Sequence, residues 1–244
     1  MNDVTVCVVL YQSGRFVAGL VDSLVRQTQA PVACVFCLND GDESVVPQLR
    51  RVPGEIDILR PGHNIGFAAG MNLCLRKVRT PYVLVLNPDV VLDADFVAIA
   101  VSAISVPGLA AVGGKILKLH DGPPTIDSTG LTMQPWWRWV DRGHGMPDRG
   151  QFDRAGPVLG LCAAAVLYDY RALEQVQEHG QFFDEEFRIY KEDVDLSLRL
   201  RDLGRGLWYE PRARAFHARG FAYGDRRRMP AEIRRVSLRN RYLL

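Results

Sequence analysis

The sequence predicts an α/β fold built on a mostly parallel, doubly wound sheet with helices on both faces. Short apolar, β-branched runs alternate with segments of helical spacing through the first half of the 244-residue chain. These runs are apolar at nearly every position, as in strands that helices cover on both sides. The composition, 48% hydrophobic and 24% charged, excludes a disordered chain, a collagen-like repeat and a coiled coil.

Each element of the first half has its own local signal. Phe16, Leu20 and Leu24 form one stripe of a helix. Turn-forming residues end the second strand at 39–42 and the fourth at 87–89. The predicted strands are 4–11, 32–38, 56–59, 82–86 and 110–117, and the predicted helices are 16–25, 67–77 and 93–104.

The character of the chain changes after residue 119. Residues 120–157 hold five prolines and predict a long irregular stretch. Beyond this stretch the sequence again predicts regular elements: a strand near 162–168, helices at 171–177 and 192–203, and a strand at 206–209. We interpret the break as the boundary between two halves of one domain, 1–119 and 120–224, followed by a basic tail at 225–244.

The net charge of +2 predicts no nucleic-acid partner, but the charge is segregated. The tail carries seven arginines against two acids, a charge of +5, which leaves −3 for residues 1–224. Such a tail can lie on an anionic membrane surface. A solvated helix or a subunit contact explains it equally well. Four apolar residues lie among the arginines: Met229, Ile233, Val236 and Leu243.

Cysteine usage and the N-terminus favour a cytoplasmic protein. The apolar run 4–11 is too short for a membrane span and lacks a basic flank, so it does not predict a signal peptide. Five cysteines are an odd and sparse number for a disulfide framework. Cys34 and Cys37 have the spacing of half a zinc site, but strand alternation sends them to opposite faces, which predicts buried core thiols. The chain ends without a helix stop signal, as a truncated chain would.

Carboxylates at the ends of elements are the candidate functional residues. Asp89 follows a buried strand through Asn87 and Pro88, which suits a divalent ion shared with substrate phosphates or a plain strand-ending turn. Glu192 and Asp193 open a helix, where acids also stabilise the N-terminus. Ligands of open α/β sheets bind beyond the carboxyl ends of the strands. Glycine-rich dinucleotide and Walker motifs are absent.

Taken in order, these motifs resemble the inverting family 2 glycosyltransferases, in the rhamnosyltransferase-like branch. The resemblance covers residues 3–220. Each motif is weak alone, but their order and spacing are specific. The matching stretches are 8–11, 39–40, 64–72, 86–90, 183–187, 190–196 with Arg199, and 209–211 through His217.

The resemblance implies a GT-A fold, with a nucleotide-sugar-binding half and an acceptor-binding half. It implies that Asp89 and His217 bind Mg²⁺ or Mn²⁺. Asp193 is then the general base, and Glu192 orients the acceptor. Asparagine stands first in the Asp-x-Asp-type motif here, and the carboxylate expected after the second strand is missing or displaced to Asp40. The implied nucleotide-sugar-binding residues are Tyr11, Asn39, Asp40, Asn64, Gly66, Phe67, Asn72 and Asn87.

The resemblance also implies the substrates. The branch points to dTDP-L-rhamnose as donor, with UDP-linked sugars behind it, and to a saccharide or lipid-linked acceptor in cell-surface polysaccharide synthesis. Together with the cysteine usage and the segregated charge, these substrates lead us to expect a cytoplasmic enzyme, which the basic tail could hold peripherally at the inner face of the cell membrane. Trp136, Trp137 and Trp139 could stack on that acceptor or fill the core under the long loop. A nucleotide pyrophosphorylase and an inactive sugar-binding module are the alternatives.

Overall fold

A large curled sheet flanked by helices organises the protein. The computed structural model describes residues 3–219 and 231–244, and in them the main sheet has ten strands. The strands are β1 (Val4–Leu10), β2 (Ala33–Leu38), β3 (Glu55–Leu59), β4 (Tyr82–Leu86), β5 (Val90–Leu92), β6 (Leu109–Lys118), β7 (Ile126–Ser128), β8 (Leu131–Gln134), β9 (Arg138–Asp141), β10 (Gly156–Pro157), β11 (Ala165–Asp169) and β12 (Gly206–His217). The α-helices are α1 (Gly14–Val25), α2 (Val46–Leu49), α3 (Phe67–Leu75), α4 (Phe96–Ile104), α5 (Tyr170–Gln175), α6 (Glu192–Asp202) and α7 (Ala231–Arg239).

The first half forms the predicted parallel sheet. The strands β3, β2, β1 and β4 lie in that order, and each neighbouring pair is parallel. Alternate side chains enter two separate apolar layers, so Val6 and Val8 pack on one face and Cys7 and Val9 on the other. The α/β prediction with flanking helices is confirmed.

Cys34 and Cys37 are core thiols, as predicted. Both side chains are fully buried, and each packs into a different apolar layer. Burial raises the pKa of Cys34 to about 12, which keeps it a neutral thiol. The two sulfurs therefore serve packing and form no half zinc site.

The second half departs from parallel pairing. Strand β11 lies between β4 and β6 and runs antiparallel to both. Strand β12 then runs parallel to β6 along its far side. The sheet is therefore mixed, because the chain re-enters it next to β4 in the opposite direction.

Residues 120–157 are less irregular than the prolines predict. Strand β7 pairs with β6, while β8 and β9 form a separate hairpin, and β10 pairs with β12.

Strand β12 is also far longer than predicted. Its register shifts between Glu210 and Arg214, and Pro211 lies inside that shift, which concealed the continuation of the strand. The extension carries His217 to the edge where the candidate site lies.

The described part of the tail packs on the domain. Helix α7 precedes Asn240, whose side chain is fully buried. Residues 225–230, with Met229, lie outside the described residues, as does the side chain of Ile233. Within 3–219 and 231–244, no helix is long and apolar enough to cross a membrane.

Candidate active site

Strand pairing brings Asp89 and His217 together from positions 128 residues apart. The short strand β5 follows Asp89 and runs antiparallel to the end of β12, with Val90 opposite His217. The backbone N–H of Ala218 donates to the carbonyl of Asp89 at 2.9 Å, which fixes the two chains. In this arrangement His217 Nε2 lies 3.1 Å from Asp89 Oδ1.

A second carboxylate holds the other nitrogen of the imidazole. His217 Nδ1 lies 2.9 Å from Asp127 Oδ2, and the Asp127 side chain is fully buried on β7. Burial lowers the pKa of His217, but the hydrogen bonds and charges of Asp127 and Asp89 outweigh it and raise the pKa to about 9. The free imidazole is therefore protonated at neutral pH and bridges the two carboxylates.

Arg219 extends this chain of charged side chains from Asp127 to Asp141. Arg219 Nε donates to Asp127, and Arg219 Nη2 donates to Asp141 Oδ2 at 3.1 Å. Asp141 ends β9, and its other oxygen, Oδ1, is buried with no hydrogen-bond partner among the described residues. Burial is the main cause that raises the pKa of Asp193, and the charge of Asp141 raises it further. The ion pairs thus run from Asp89 through His217, Asp127 and Arg219 to Asp141.

Glu192 and Asp193 form a coupled acidic pair at the start of α6. Burial, followed by the charge of Asp193, raises the pKa of Glu192 to about 8. Burial also raises the pKa of Asp193, whose Oδ1 accepts from the N–H of Val194 at 2.9 Å. Glu192 Oε2 is buried without a hydrogen-bond partner among the residues described. At neutral pH this pair can therefore present one protonated carboxyl and one carboxylate.

Asn39 organises the loop that precedes α3. Its Nδ2 donates to Asn64 Oδ1 and to the carbonyl of Gly66, both at 3.1 Å, and its Oδ1 accepts from the N–H of Ile65 at 2.9 Å. Gly66 has φ +90°, a conformation that favours glycine. The loop is thereby fixed beside the carboxyl end of β2.

The other residues that were predicted to bind the nucleotide sugar divide into an exposed and a buried group. Tyr11 is 45% exposed at the end of β1, and Asp40 accepts from the backbone N–H of Gln12 in the same turn region. Asn87 is half-buried at the end of β4. Because β1 lies between β2 and β4 in a parallel set, these ends share one edge of the sheet. This is the edge at which ligands bind in open α/β sheets.

Asn72 and Phe67 lie deeper. Asn72 is fully buried, and its Oδ1 accepts from the N–H groups of Phe182 and Phe183, while its Nδ2 donates to Phe183 and Glu185. Phe67 packs edge-on against Phe183, with ring centroids 5.9 Å apart. The geometry ties α3 to the segment before α6 and places the Asn72 side chain in the protein interior.

The described residues contain no group of three or more His, Cys, Asp or Glu side chains that could hold a metal ion. Asp89 and His217 place an oxygen and a nitrogen donor atom 3.1 Å apart. Neighbouring ligands of an octahedral ion lie about 3 Å apart. Asp127 adds the carboxylate that orients a metal-bound imidazole. This donor set fits Mn²⁺ or Mg²⁺ when a diphosphate and water complete the coordination.

Sequence reasoning missed Asp127, Asp141 and Arg219. Asp127 and Asp141 lie in short strands of the stretch that was predicted to be irregular. Arg219 follows His217 by two residues and was left without a role. No local signal in the sequence marks Asp127, which stands between Ile126 and the polar Ser128.

The tryptophan cluster divides in the structure. Trp139 is buried on β9 and packs with Leu131 and Val194. Trp136 and Trp137 form the turn of the β8–β9 hairpin, where they are 94% and 78% exposed and have φ of 67° and 56°. The core-filling interpretation therefore holds for Trp139 and is wrong for the other two.

Comparison with known proteins identifies relatives along nearly the whole chain. The family model described as "Glycosyltransferase like family 2" matches residues 2–240. N-acetylglucosaminyl-diphospho-decaprenol L-rhamnosyltransferase of Mycobacterium tuberculosis is 25% identical over 248 residues, which cover 92% of this chain and 79% of that protein. The O-antigen biosynthesis protein RfbC of Myxococcus xanthus is 26% identical over 81% of this chain and 16% of its own length.

Solved structures share the fold. GalNAc-T7 with UDP, GalNAc and Mn²⁺ superposes with a TM-score of 0.72 at 13% identity, over 91% of this chain. The mannosyltransferase PcManGT from Pyrobaculum calidifontis, in complex with GDP-Man and Mn²⁺, gives 0.64 at 15% identity over 89% of this chain, and S. aureus TarS gives 0.64 at 16% over 88%. The matched regions span 44%, 58% and 36% of those chains, respectively.

Proposed function

The chain belongs to glycosyltransferase family 2, and from this premise we propose that it is a metal-dependent, inverting rhamnosyltransferase. The donor is a nucleoside diphosphate sugar, dTDP-L-rhamnose first, and the acceptor is a hydroxyl of a lipid-linked saccharide. The similarity to a rhamnosyltransferase that acts on a decaprenol-linked acceptor supports this choice. The observations that carry it are the ion pairs that run from the Asp89–His217 pair through Asp127 and Arg219 to Asp141, and the buried acidic pair Glu192–Asp193 at the start of α6.

Residues of both halves would hold the nucleotide and its diphosphate. Asn39 fixes the loop at Asn64–Gly66, and Tyr11 and Asp40 lie at the same strand edge to contact the nucleoside. Asp89 and His217 would hold the divalent ion, which supplies Lewis-acid stabilisation of the leaving diphosphate. Asp127 keeps the imidazole oriented by accepting from Nδ1. Each of these residues would bind the nucleotide or the ion, or orient a residue that does.

The catalytic half moves one proton. Asp193 accepts the proton of the acceptor hydroxyl as its oxygen bonds to the anomeric carbon. The bond from that carbon to the diphosphate oxygen breaks, and the nucleoside diphosphate leaves with the bonding electrons. Glu192, protonated at neutral pH because its pKa is about 8, donates a hydrogen bond that orients the acceptor. General base catalysis of this kind contributes about 10²–10⁴-fold.

The tryptophans at the hairpin turn are proposed to contact the acceptor. The β8–β9 hairpin contacts the start of α6, because Lys191 Nζ donates to the carbonyl of Trp139 at 2.9 Å. Exposed tryptophans suit the sugar or the lipid portion of a polyprenyl-linked substrate.

The basic tail would hold the protein at an anionic membrane surface, peripherally on the cytoplasmic side. Vesicle sedimentation at low salt tests this, and equal recovery with neutral and anionic vesicles refutes it.

A panel of nucleotide sugars tests the proposed reaction. Purified protein with Mn²⁺ is given dTDP-rhamnose, UDP-galactofuranose or UDP-N-acetylglucosamine, with and without a polyprenyl-diphosphate-linked N-acetylglucosamine. We expect turnover of dTDP-rhamnose that rises with the acceptor, and a product of inverted anomeric configuration. Turnover of a UDP-sugar alone would reassign the donor within the family. Retention of configuration would remove Asp193 as the base.

A further inference from the structure

The segment before the catalytic helix is held in an unfavourable backbone conformation. Arg188, Tyr190 and Lys191 have φ of 56°, 67° and 79°, although none of them is glycine. Non-glycine residues rarely adopt the left-handed region, and they keep it only where their surroundings fix it. The segment 187–191 therefore depends on contacts from other parts of the chain.

This segment connects the two halves of the proposed site. The carbonyl of Arg188 accepts from the backbone N–H groups of Phe67 at 2.8 Å and Ala68 at 3.2 Å, at the start of α3. Lys191 contacts the hairpin through Trp139 and is the last residue before Glu192 and Asp193. A change in the segment would therefore shift the acidic pair relative to the donor loop.

Asn240, near the C-terminal end of the chain, contacts three backbone carbonyls of this segment. Its amide nitrogen lies 2.8 Å from the carbonyl of Phe187, 3.0 Å from that of Ile189 and 2.7 Å from that of Tyr190. Its Oδ1 accepts from Arg239 Nε at 3.1 Å and Nη2 at 3.0 Å. The side chain is fully buried, so water cannot replace these bonds.

We propose that Asn240 is a positioning residue for glycosyl transfer. It fixes the left-handed segment, and through it the placement of Asp193 relative to the donor. Helix α7, which leads to Asn240, is then part of the catalytic unit. The inference rests on the proposed function for its effect on turnover, but the fixing of the segment is independent of which sugar is transferred.

Two substitutions separate the effect of the N–H donors of Asn240 from the effect of its side-chain shape. Asn240→Asp keeps the shape and removes both N–H donors, while Asn240→Ala removes the side chain. The matched control is Leu238→Ala, which truncates a half-exposed side chain on the same helix. Amide hydrogen exchange over 186–193, kcat, the affinity for the nucleoside diphosphate with Mn²⁺, and the thermal midpoint are measured for each variant.

We expect faster exchange over 186–193 in both Asn240 variants and a fall in kcat of about 10- to 100-fold, because small misplacements of reacting groups are costly. Nucleotide affinity should change less than about threefold, since the bonds from Asn39 to the donor loop remain in both variants. Leu238→Ala should match the wild type. Unchanged exchange in both variants overturns the inference whatever the activity. Faster exchange with kcat within about twofold of the wild type overturns the positioning role. Failure of the wild type to use any nucleotide sugar counts against the proposed function alone.

Discussion

Asp127 Oδ2 lies 2.9 Å from His217 Nδ1, and the carboxylate is fully buried. The opposite nitrogen of the same ring lies 3.1 Å from Asp89. One carboxylate therefore orients the imidazole while the other stands beside it at the edge of the sheet. In metal sites of proteins, a carboxylate commonly holds one nitrogen of a histidine whose other nitrogen binds the metal ion.

Replacing Asp127 should weaken the binding of the divalent ion. Asp127→Asn keeps the shape of the side chain and removes the charge that orients His217. We expect Mn²⁺ affinity in the presence of nucleoside diphosphate to fall about 10- to 100-fold. Calorimetric titration measures it, with Asp57→Asn on the exposed face of β3 as the control. Affinity equal to that of the wild type would show that Asp127 serves folding only.

Asp193→Asn should separate binding from chemistry. The amide cannot accept the proton of the acceptor hydroxyl, so transfer should fall by about 10²–10⁴-fold while the affinity for the donor nucleotide is kept. Initial rates and nucleotide titration measure the two effects. Asp202→Asn, an exposed residue at the other end of α6, is the control. Near-normal turnover by Asp193→Asn would exclude Asp193 as the base.

Glu192 should make the protein less stable as the pH rises. Its folded-state pKa is about 8, above the ordinary carboxyl value, so the folded state binds more protons than the unfolded state between these values. The stability present at low pH is lost between about pH 4.5 and 8. Glu192→Gln should show a smaller fall in thermal midpoint between pH 5 and 8, by about 2–4 °C for each 1 kcal/mol of linkage removed. Identical slopes for both proteins would contradict the raised pKa.

Asn39→Ala should weaken donor binding. The substitution removes the bonds that hold Ile65, Asn64 and Gly66, so the loop must be ordered when the nucleotide binds. We expect the donor KM to rise about tenfold with kcat changed much less. The control is His63→Ala, an exposed residue just before the loop. A fall in kcat without a change in KM would place Asn39 outside donor binding.

The sequence was most informative where signals are local. Strand β4 has the predicted bounds, and α1 ends at the predicted residue, because apolar periodicity and turn residues mark both. The same local signals place Asp89 at a strand end and Glu192 and Asp193 at a helix start. The resemblance to known glycosyltransferases supplied their roles.

The relationships that assemble the site are long-range and have no local signal. Asp127 meets His217 only because β7 and β12 both pair with β6. The register shift around Pro211 hid the final part of β12. Asn240 lies in an arginine-rich tail whose composition suggests a surface contact, yet its amide is buried against backbone carbonyls. Pairing between distant segments decides these contacts.

Nucleotide binding by Asp89→Ala, measured by calorimetry with and without Mn²⁺, tests the central claim most directly. The account predicts that Mn²⁺ strengthens the binding of dTDP or UDP to the wild type. The variant should lose this metal-dependent gain and keep the same thermal midpoint within a few degrees. Unchanged affinity of Asp89→Ala in the presence of Mn²⁺ would contradict the assignment of the Asp89–His217 pair as the metal and diphosphate site.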